Sequence, residues 1–179
     1  MLAAPYRYCP ACASELAWLE QDEDGGRKAR LRCPSCDFTH WNNPTPVLAA
    51  VVECVDREGQ VLLARNAAWS GRFFGLITGF MEAGESPEDG IAREVQEETA
   101  LQVESLELLG VWDFQRMNQV IIAYAVKARG EIRLSPELAE YKLFAPQTVR
   151  CWQAGTGQAL ARWLRLRGIE PQWLEPSQH

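Results

Sequence analysis

The chain has 179 residues, a net charge of −6 and 47% hydrophobic residues, as expected for one globular domain with a small appendage. Its longest apolar run, Val120–Val126, has seven residues and is too short to cross a membrane, and the first residues lack the basic start and long apolar segment of a signal peptide. The acidic balance argues against a general nucleic-acid-binding protein, and the missing export signal predicts the cytoplasm, where thiols stay reduced.

Four cysteines near the start form two Cys-x-x-Cys pairs, Cys9/Cys12 and Cys33/Cys36, separated by twenty residues. Each pair places two thiolates on one tight turn, and two such turns can close a tetrahedral shell around Zn²⁺. Two disulfides, with three possible connectivities, are the alternative, which a reducing compartment disfavours. Since four sulfur ligands leave no open position, the predicted zinc is structural and not catalytic.

Residues 1–43 are therefore predicted to form a zinc ribbon, with strands at 15–20 and 27–32 around a turn at 22–26. A segment this small needs the metal for its folding energy. Zinc ribbons often bind nucleic acid, but these residues carry five Lys/Arg against six Asp/Glu. A scaffold or dimer element is favoured for that reason. The two single cysteines, Cys54 and Cys151, are expected to be buried and inert.

The remaining chain alternates strand and loop patterns and ends in a helix. Residues 42–46 are interpreted as a proline-rich linker and 69–75 as an aromatic loop punctuated by glycine. The final helix, at 156–168, places Leu160, Trp163 and Leu164 on one face and stops at Gly168, and a loosely ordered tail is expected at 171–179. Strands are predicted at 47–55, 60–64, 106–111, 119–127, 131–134 and 141–144.

An earlier helix is predicted from Ser86, a good N-cap, to about Ala100. The helical period places an apolar stripe beside a face with three carboxylates, those of Glu94, Glu97 and Glu98. Like charges three and four residues apart destabilise a helix by roughly 0.2–0.5 kcal/mol per pair. Such a face suits Mg²⁺ or Mn²⁺, which bind substrate phosphates alongside protein carboxylates. The alternative is a solvated glutamate-rich surface, which is the commoner meaning of this pattern.

The stretch 79-GFMEAGESPEDGIAREVQEETAL-101 resembles the Nudix box, G-x5-E-x7-R-E-U-x-E-E-x-G-U, in which U is aliphatic. Gly79 and Glu85 match the first two fixed positions, and Leu101 fills the last aliphatic one. One position departs from the pattern, because Ala100 stands where the box has its second glycine.

This resemblance implies a hydrolase that cleaves nucleoside diphosphates linked to another moiety. It implies an α/β fold, namely a Nudix α/β/α sandwich with a mixed sheet, at 44–150 after the ribbon, with a C-terminal helix packed on it at 151–170. It also implies roles for particular residues: Glu94, Glu97 and Glu98 would be the divalent-metal ligands, and one of them is the candidate for the base. Arg93 would orient a glutamate through a contact with Glu85.

A zinc ribbon ahead of a Nudix domain is similar to the NADH pyrophosphatase group, as is the phenylalanine after the box glycine, Phe80. The resemblance spans roughly residues 8 to 165. That group carries the block SQPWPFPxS, linked to its preference for NADH. Here the corresponding stretch, 110-GVWDFQRMNQ-119, has Trp112 and Phe114 for the block's aromatics but lacks its inner prolines and flanking serines.

NADH or NAD⁺ is therefore the first expected substrate, and FAD, ADP-ribose or a nicotinamide cap on RNA are the alternatives. A non-catalytic nucleotide-binding regulator is the alternative of a different class, against which the intact glutamates argue. The expected partner is a small-molecule dinucleotide, and homodimers are common in the group.

Further candidates for the site lie outside the box. The stretch 137-ELAEYKLF-144 resembles the place where the family often supplies one more acid, with Glu140 as first choice and Glu137 as second; a solvated glutamate is the alternative. Aromatic side chains can stack on a base or pack in the core, and packing is expected for at least half of them. The stacking candidates are Phe73, Phe80, Trp112 and Phe114, with Trp69 and Phe74 beside them.

Overall fold

The chain forms two compact units, residues 1–43 and 44–179, in a computed structural model that describes residues 6–68, 70–71 and 73–175. Within those ranges no helix is both long enough and apolar enough to span a membrane. The strands and helices, in chain order, are β1 (Ala17–Glu23), β2 (Gly26–Arg32), β3 (Thr39–His40), β4 (Thr45–Cys54), β5 (Gln60–Asn66), β6 (Ile77–Phe80), α1 (Pro87–Thr99), β7 (Gln102–Phe114), β8 (Gln119–Arg129), β9 (Leu138–Phe144), β10 (Arg150–Cys151), α2 (Gly157–Leu166) and β11 (Gln172–Trp173).

The first unit is a three-stranded antiparallel sheet in the order β1-β2-β3. The predicted hairpin is present, and its turn is at Asp24 and Gly25, where Gly25 has a φ of +85°. The core of this unit is small: Leu16 and Leu31 are buried with Cys9 and Cys33, and Phe38 packs against them. So few apolar side chains cannot supply much burial energy, which is the expected state of a metal-stabilised ribbon.

The second unit is built on a mixed six-stranded sheet in the order β7-β8-β4-β5-β9, with β6 beside β4. Strand β4 runs parallel to β8 and antiparallel to β5 and β6. Every residue from Leu48 to Val52 is fully buried, because α1 covers one face of this strand and α2 covers the other. The predicted α/β/α sandwich with a mixed sheet is confirmed.

Two of the predicted elements are wrong. Residues 131–134 are not a strand, because the chain turns at Gly130 (φ +116°) and runs past the end of α1. Two hydrogen bonds hold it there: the Arg133 N–H donates to the Thr99 carbonyl (2.9 Å), and the Ser135 N–H donates to the Glu98 carbonyl (3.0 Å). The predicted linker at 42–46 extends too far along the chain, because β4 already begins at Thr45. A proline at the start of a strand is tolerated, since it removes only a terminal N–H from the ladder.

The segment from Pro171 onward is also more ordered at its start than expected. Gln172 and Trp173 pair in parallel with Arg150 and Cys151, and the Leu174 N–H donates to the Cys151 carbonyl (2.8 Å). The last four residues of the predicted tail, 176–179, lie outside the described part of the chain.

Helix α1 ends at a residue in the left-handed region. Ala100 has a φ of 59° and a ψ of 10°, and its N–H donates to the Gln96 carbonyl. A residue with a Cβ atom pays about 1–2 kcal/mol for this conformation, whereas glycine adopts it freely. The second glycine of the Nudix box therefore permits the left-handed conformation that ends the helix. Ala100 adopts the same conformation at a cost in free energy.

We expect Ala100→Gly to stabilise the protein by about 1 kcal/mol, since it removes the strain of the left-handed alanine. Chemical denaturation of the two proteins measures the difference. Gly168→Ala is the matched control, because Gly168 also follows a helix, has a φ of +71° and has no atom within 4 Å of an added Cβ. It should destabilise by a similar amount, and equal stability of Ala100→Gly and the parent protein would contradict the explanation.

Candidate active site

Helix α1 is held close to the sheet by its cap and by a glycine. Ser86 accepts a hydrogen bond from the Asp89 N–H (3.1 Å), which satisfies one of the free amides of the first turn. Ile91 and Val95 are fully buried against the sheet. An added Cβ on Gly90 would lie 2.5 Å from Leu48 Cδ1 and 2.6 Å from Glu85 Oε1, so only glycine permits this approach. The carboxylate face of α1 is thereby fixed relative to β4 and β6.

Glu94 lies directly over Gly79 of β6. A Cβ atom on Gly79 would be 1.9 Å from Glu94 Cδ, and no backbone adjustment of tenths of an ångström would admit it. The Glu94 side chain is 13% exposed, which makes it a largely buried carboxylate at the junction of α1 and β6. The first position of the Nudix box must therefore be glycine, because the Glu94 side chain occupies the space that a Cβ atom would need.

The guanidinium of Arg93 orders three carboxylates. It binds Glu85 through two parallel hydrogen bonds, Nε to Oε2 (3.1 Å) and Nη2 to Oε1 (3.0 Å). Its Nη1 donates to Glu94 Oε1 (2.8 Å) and to Glu97 Oε2 (3.2 Å). Hydrogen bonds from Arg93 and from the Glu82 N–H hold the pKa of Glu85 below its usual value. The contact between Arg93 and Glu85 that the resemblance implied is present.

Glu98 is the most buried of the three box glutamates, with 8% of its surface exposed. Burial, together with the charges of Glu94, Glu137 and Glu97, raises its pKa to about 7. Glu97, by contrast, has 62% of its side chain exposed. One face thus combines a buried carboxylate, a largely buried one and an exposed one, all of them oxygen donors of the kind that Mg²⁺ and Mn²⁺ prefer. A divalent ion would relieve the repulsion that raises the Glu98 pKa.

The two candidates for an additional acid differ in their surroundings. Glu140 lies on β9 opposite Arg65 and is within 3.7 Å of the Arg65 Nε and 3.9 Å of the Lys142 Nζ. Glu137 lies in the loop before β9, and its charge contributes to the raised pKa of Glu98. The Glu137 carbonyl accepts a hydrogen bond from the Ala67 N–H (2.7 Å), which ties this loop to the end of β5. Glu137 is therefore electrostatically coupled to the box, and Glu140 has cationic neighbours of its own.

The predicted stacking residues fall into two groups. Phe80 and Phe73 are 59% and 40% exposed, and the Phe73 ring meets the Trp152 ring edge to face at a centroid distance of 5.1 Å. Trp112 and Phe114 are half-buried and pack against the core on the α2 side of the sheet, as does Phe74, whose ring lies 4.2 Å from the Lys142 Nζ. Trp69 lies outside the described residues.

The stretch 110–119 contains the turn that joins β7 to β8. It lines a cavity of about 410 Å³ in which Val111, Trp112 and Val120 supply apolar surface and Asp113 and Asn118 supply polar groups. A cavity of this size and mixed lining is suited to a small ligand. This cavity was not predicted from the sequence, and neither was the contact of Trp152 with Phe73. A lone tryptophan before a helix cannot be distinguished from a core residue by sequence alone.

The four cysteines of the first unit are brought together. Their Sγ atoms all lie within 4.8 Å of one another, with Cys9 and Cys36 at 3.6 Å and Cys12 and Cys33 at 3.4 Å. The Ala11 and Ser35 N–H groups donate to the sulfurs of Cys9 and Cys33, each at 3.4 Å. Hydrogen bonds from Ser14 lower the pKa of Cys12 to about 6, which favours the thiolate. This is a four-sulfur cluster able to hold a metal ion, and all four cysteines are free thiols.

Known proteins are similar to this chain in sequence and in fold. The NAD-capped RNA hydrolase NudC of Pseudomonas putida is 28% identical over 165 residues, which are 90% of this chain and 55% of that protein. The protein of the same name from Pseudomonas fluorescens is 30% identical over 132 residues, which are 73% of this chain and 44% of its own. The chain thus spans about half the length of these relatives.

A crystal structure of a NUDIX hydrolase from Nitrosomonas europaea is similar over 94% of this chain and 97% of its own, with 28% identity and a TM-score of 0.76. Residues 44–166 match the NUDIX domain, and this range begins where the second unit begins. Because the match covers more than half of the chain, and the box glutamates, Arg93 and Gly79 have the geometry described above, the protein belongs to the NUDIX domain family.

Proposed function

We propose that this chain hydrolyses the phosphoanhydride bond of NAD-type dinucleotides, with NADH or NAD⁺ as the substrate and Mg²⁺ or Mn²⁺ as the catalytic ion. The observation that carries the proposal is the set of box carboxylates that Arg93 orders, with Glu94 seated over Gly79 and Glu98 buried beside it. The Pseudomonas relatives are NAD-capped RNA hydrolases by name, which supports a nicotinamide dinucleotide over FAD or ADP-ribose.

The division of roles follows from exposure and charge. Glu94, Glu97 and Glu98 would hold the ion. When bound, the ion would neutralise the charge of the diphosphate and activate water. Arg93 positions Glu94 and Glu97 through its Nη1 and does not need to touch the substrate. Glu98, the most buried of these carboxylates, would accept a proton from the attacking water beside the ion. A ligand-binding regulator without catalysis would have no use for such a group.

Removal of a nicotinamide cap from RNA is a second candidate, because it breaks the same bond and is the activity named for the relatives. The cytoplasm is the proposed compartment for either activity, because reducing conditions favour a metal-binding set of thiols over disulfides. A panel of NADH, NAD⁺, FAD, ADP-ribose and nicotinamide-capped RNA, incubated with Mg²⁺ or Mn²⁺ and separated by chromatography, distinguishes the substrates. AMP plus a nicotinamide mononucleotide from NADH or NAD⁺ is the expected result, and no cleavage of any of them would overturn the proposal.

We expect Glu98→Gln to lower kcat on the preferred dinucleotide by about 10²- to 10⁴-fold, because an amide neither accepts the proton nor carries the charge that holds the ion. Glu97→Gln should lose most of the activity as well, through weaker ion binding. Glu107→Gln is the control, since Glu107 is an exposed glutamate on β7, outside the box. Steady-state kinetics over a range of Mg²⁺ concentrations checks all three, and full turnover in both box variants would refute the assignment.

We further propose that Glu137, and not Glu140, is the additional acid of the site. The charge of Glu137 contributes to the raised pKa of Glu98, which supports this choice, whereas Glu140 forms ion pairs with Arg65 and Lys142. Glu137→Gln should reduce the apparent Mg²⁺ affinity by about 10- to 100-fold, and Glu140→Gln should change it by less than about twofold. Titration of activity against Mg²⁺ measures both values. The reverse order of effects would return Glu140 to the role.

Zinc is the ion that we propose for the cysteine cluster. Tetrahedral coordination with Zn–S bonds of about 2.3 Å places sulfurs about 3.8 Å apart, and the two close pairs, at 3.4 and 3.6 Å, need to open only slightly. Four sulfurs leave no position for water, so the ion would stabilise the small core around Leu16 and Leu31 and take no part in hydrolysis.

Metal analysis of the purified chain should find about one zinc per molecule, bound by this cluster. Cys9→Ser should lose the metal and lower the thermal stability of the ribbon, because its small core cannot hold it together. Cys54→Ala is the control, since Cys54 is a buried thiol of the second unit, and it should retain the zinc. Retention of full zinc content by Cys9→Ser would contradict the proposed site.

A further inference from the structure

The hairpin of the ribbon separates its charges onto two faces. Residues paired across an antiparallel sheet point to the same side, and successive residues of a strand point to opposite sides. Strand register therefore places Lys28, Arg30 and Arg32 of β2 on one side of the sheet, together with Glu23 of β1. With three cations and one carboxylate from the two strands, this side, the basic face, carries a positive charge.

The opposite face carries the remaining charges of the two strands. Leu31 lies on that side, in the small core beside the cysteines. Glu20, Asp22 and Arg27 point to the same side, so acidic groups outnumber basic ones there. The near balance of charge in residues 1–43 is thus the sum of two unlike faces. A balanced total does not disfavour a polyanion at the basic face, because binding depends on the local distribution of charge.

An exposed tryptophan lies beside the basic face. The guanidinium carbon of Arg30 is 4.8 Å from the centroid of the Trp41 ring, within the range of a cation–π interaction. Glu23 holds Arg30 in place by accepting two hydrogen bonds, from Nε (2.7 Å) and from Nη2 (2.9 Å). Trp41 is nevertheless 53% exposed. The indole and the guanidinium therefore form a fixed pair of flat groups at the surface.

The three cations of the basic face differ in burial. Arg32 is buried, and it donates to Thr39 through Nη1 (2.8 Å) and to Glu23 through Nη2. The side chain of Arg30 is partly exposed, and Lys28 is exposed. Lys28 and Arg30 are two residues apart on one strand, which separates them by about 7 Å along the sheet. Arg32 therefore holds the sheet together, while Lys28 and Arg30 present charge beside the indole.

From this arrangement we propose that the basic face of the ribbon binds single-stranded RNA, with a base stacked on Trp41 and phosphates at Lys28 and Arg30. An unpaired strand offers flat bases as well as negative charge, and both are recognised by aromatic rings interleaved with cations. An acidic peptide offers only the charge. The inference rests on the second candidate of the proposed function, since it names where the strand behind a nicotinamide cap binds.

Binding of a short, labelled, uncapped oligouridylate to the zinc-loaded full chain tests the surface without catalysis. Measured by fluorescence anisotropy, Trp41→Ala should weaken binding by about 5- to 100-fold, and Trp41→Phe, which keeps a flat ring, should recover most of the loss. Trp18→Ala is the matched control and should leave the affinity unchanged. Trp18 is also about half exposed, at 48%, but it pairs with Leu31 and so lies on the opposite face.

Lys28 and Arg27 form a matched pair for the charge. They are consecutive residues of β2, both exposed, and they point to opposite faces. Lys28→Gln should weaken RNA binding and reduce the slope of log affinity against log salt by about 0.7, whereas Arg27→Gln should change neither. Equal effects of the two substitutions would overturn the inference. Displacement of the RNA by poly-glutamate as readily as by unlabelled RNA would also overturn it, because charge alone would then explain the binding.

Kinetics relate the surface to the reaction. Trp41→Ala should raise KM for nicotinamide-capped RNA by about 5- to 100-fold and leave KM for NADH unchanged, because NADH carries no strand. Equal zinc content in the parent and the variants shows that the ribbon is intact, and the exposed Lys28→Gln keeps the test valid where Trp41→Ala loses zinc. A parent protein that cleaves NADH but does not bind the oligouridylate would overturn the inference alone. RNA binding that depends on Trp41 in a protein that cleaves no dinucleotide would support the surface and overturn the proposed activity.

Discussion

The arrangement of the candidate active site depends on one guanidinium. Arg93 joins Glu85 of the loop before α1 to Glu94 and Glu97 on the helix, and its Nη2 also reaches the Phe80 carbonyl at the end of β6 (3.4 Å). The side chains of Glu85 and Glu94 are 16% and 13% exposed, so neither charge is well solvated. Leaving a buried charge without its partner costs roughly 3–5 kcal/mol. The clustering of negative charge that the sequence shows is therefore tolerated because Arg93 stands inside the cluster.

Two glycines set how closely the parts of this site can approach. Gly79 leaves the space that the Glu94 carboxylate occupies, and Gly90 leaves the space for Leu48 and Glu85. A methyl group at either position would overlap a side chain that Arg93 or the sheet holds in place. Chemistry alone would explain the glutamates of the box but not its first glycine. The spacing between Gly79 and Glu94 is a packing constraint, imposed because β6 and α1 meet at that point.

Much of the site could be predicted because its residues are local in sequence. The helix, its cap at Ser86, the carboxylate face and the contact of Arg93 with Glu85 all lie within one stretch, where helical periodicity and the family pattern apply. The four cysteines were predictable for the same reason, since their ligand spacing is visible in the chain. The surroundings of Glu137 were not predictable, because they depend on how the chain after Gly130 runs past α1, where the sequence analysis predicts a strand at 131–134 instead. The exposure of Phe80 and the neighbourhood of Trp152 depend on strand register, which no local pattern reveals.

The alternation of side chains along β6 determines which residue of this strand faces the carboxylates of α1. Gly79 and Phe80 are consecutive residues, so one faces the α1 side of the sheet and the other faces the α2 side. Gly79 makes room for the Glu94 carboxylate, and Phe80 exposes a ring on the opposite face. Any shift of β6 by one residue along β4 would exchange these two faces. The pairing of Leu48 with Gly79 and of Val47 with Phe80 therefore keeps Gly79 under the Glu94 carboxylate and Phe80 on the opposite face.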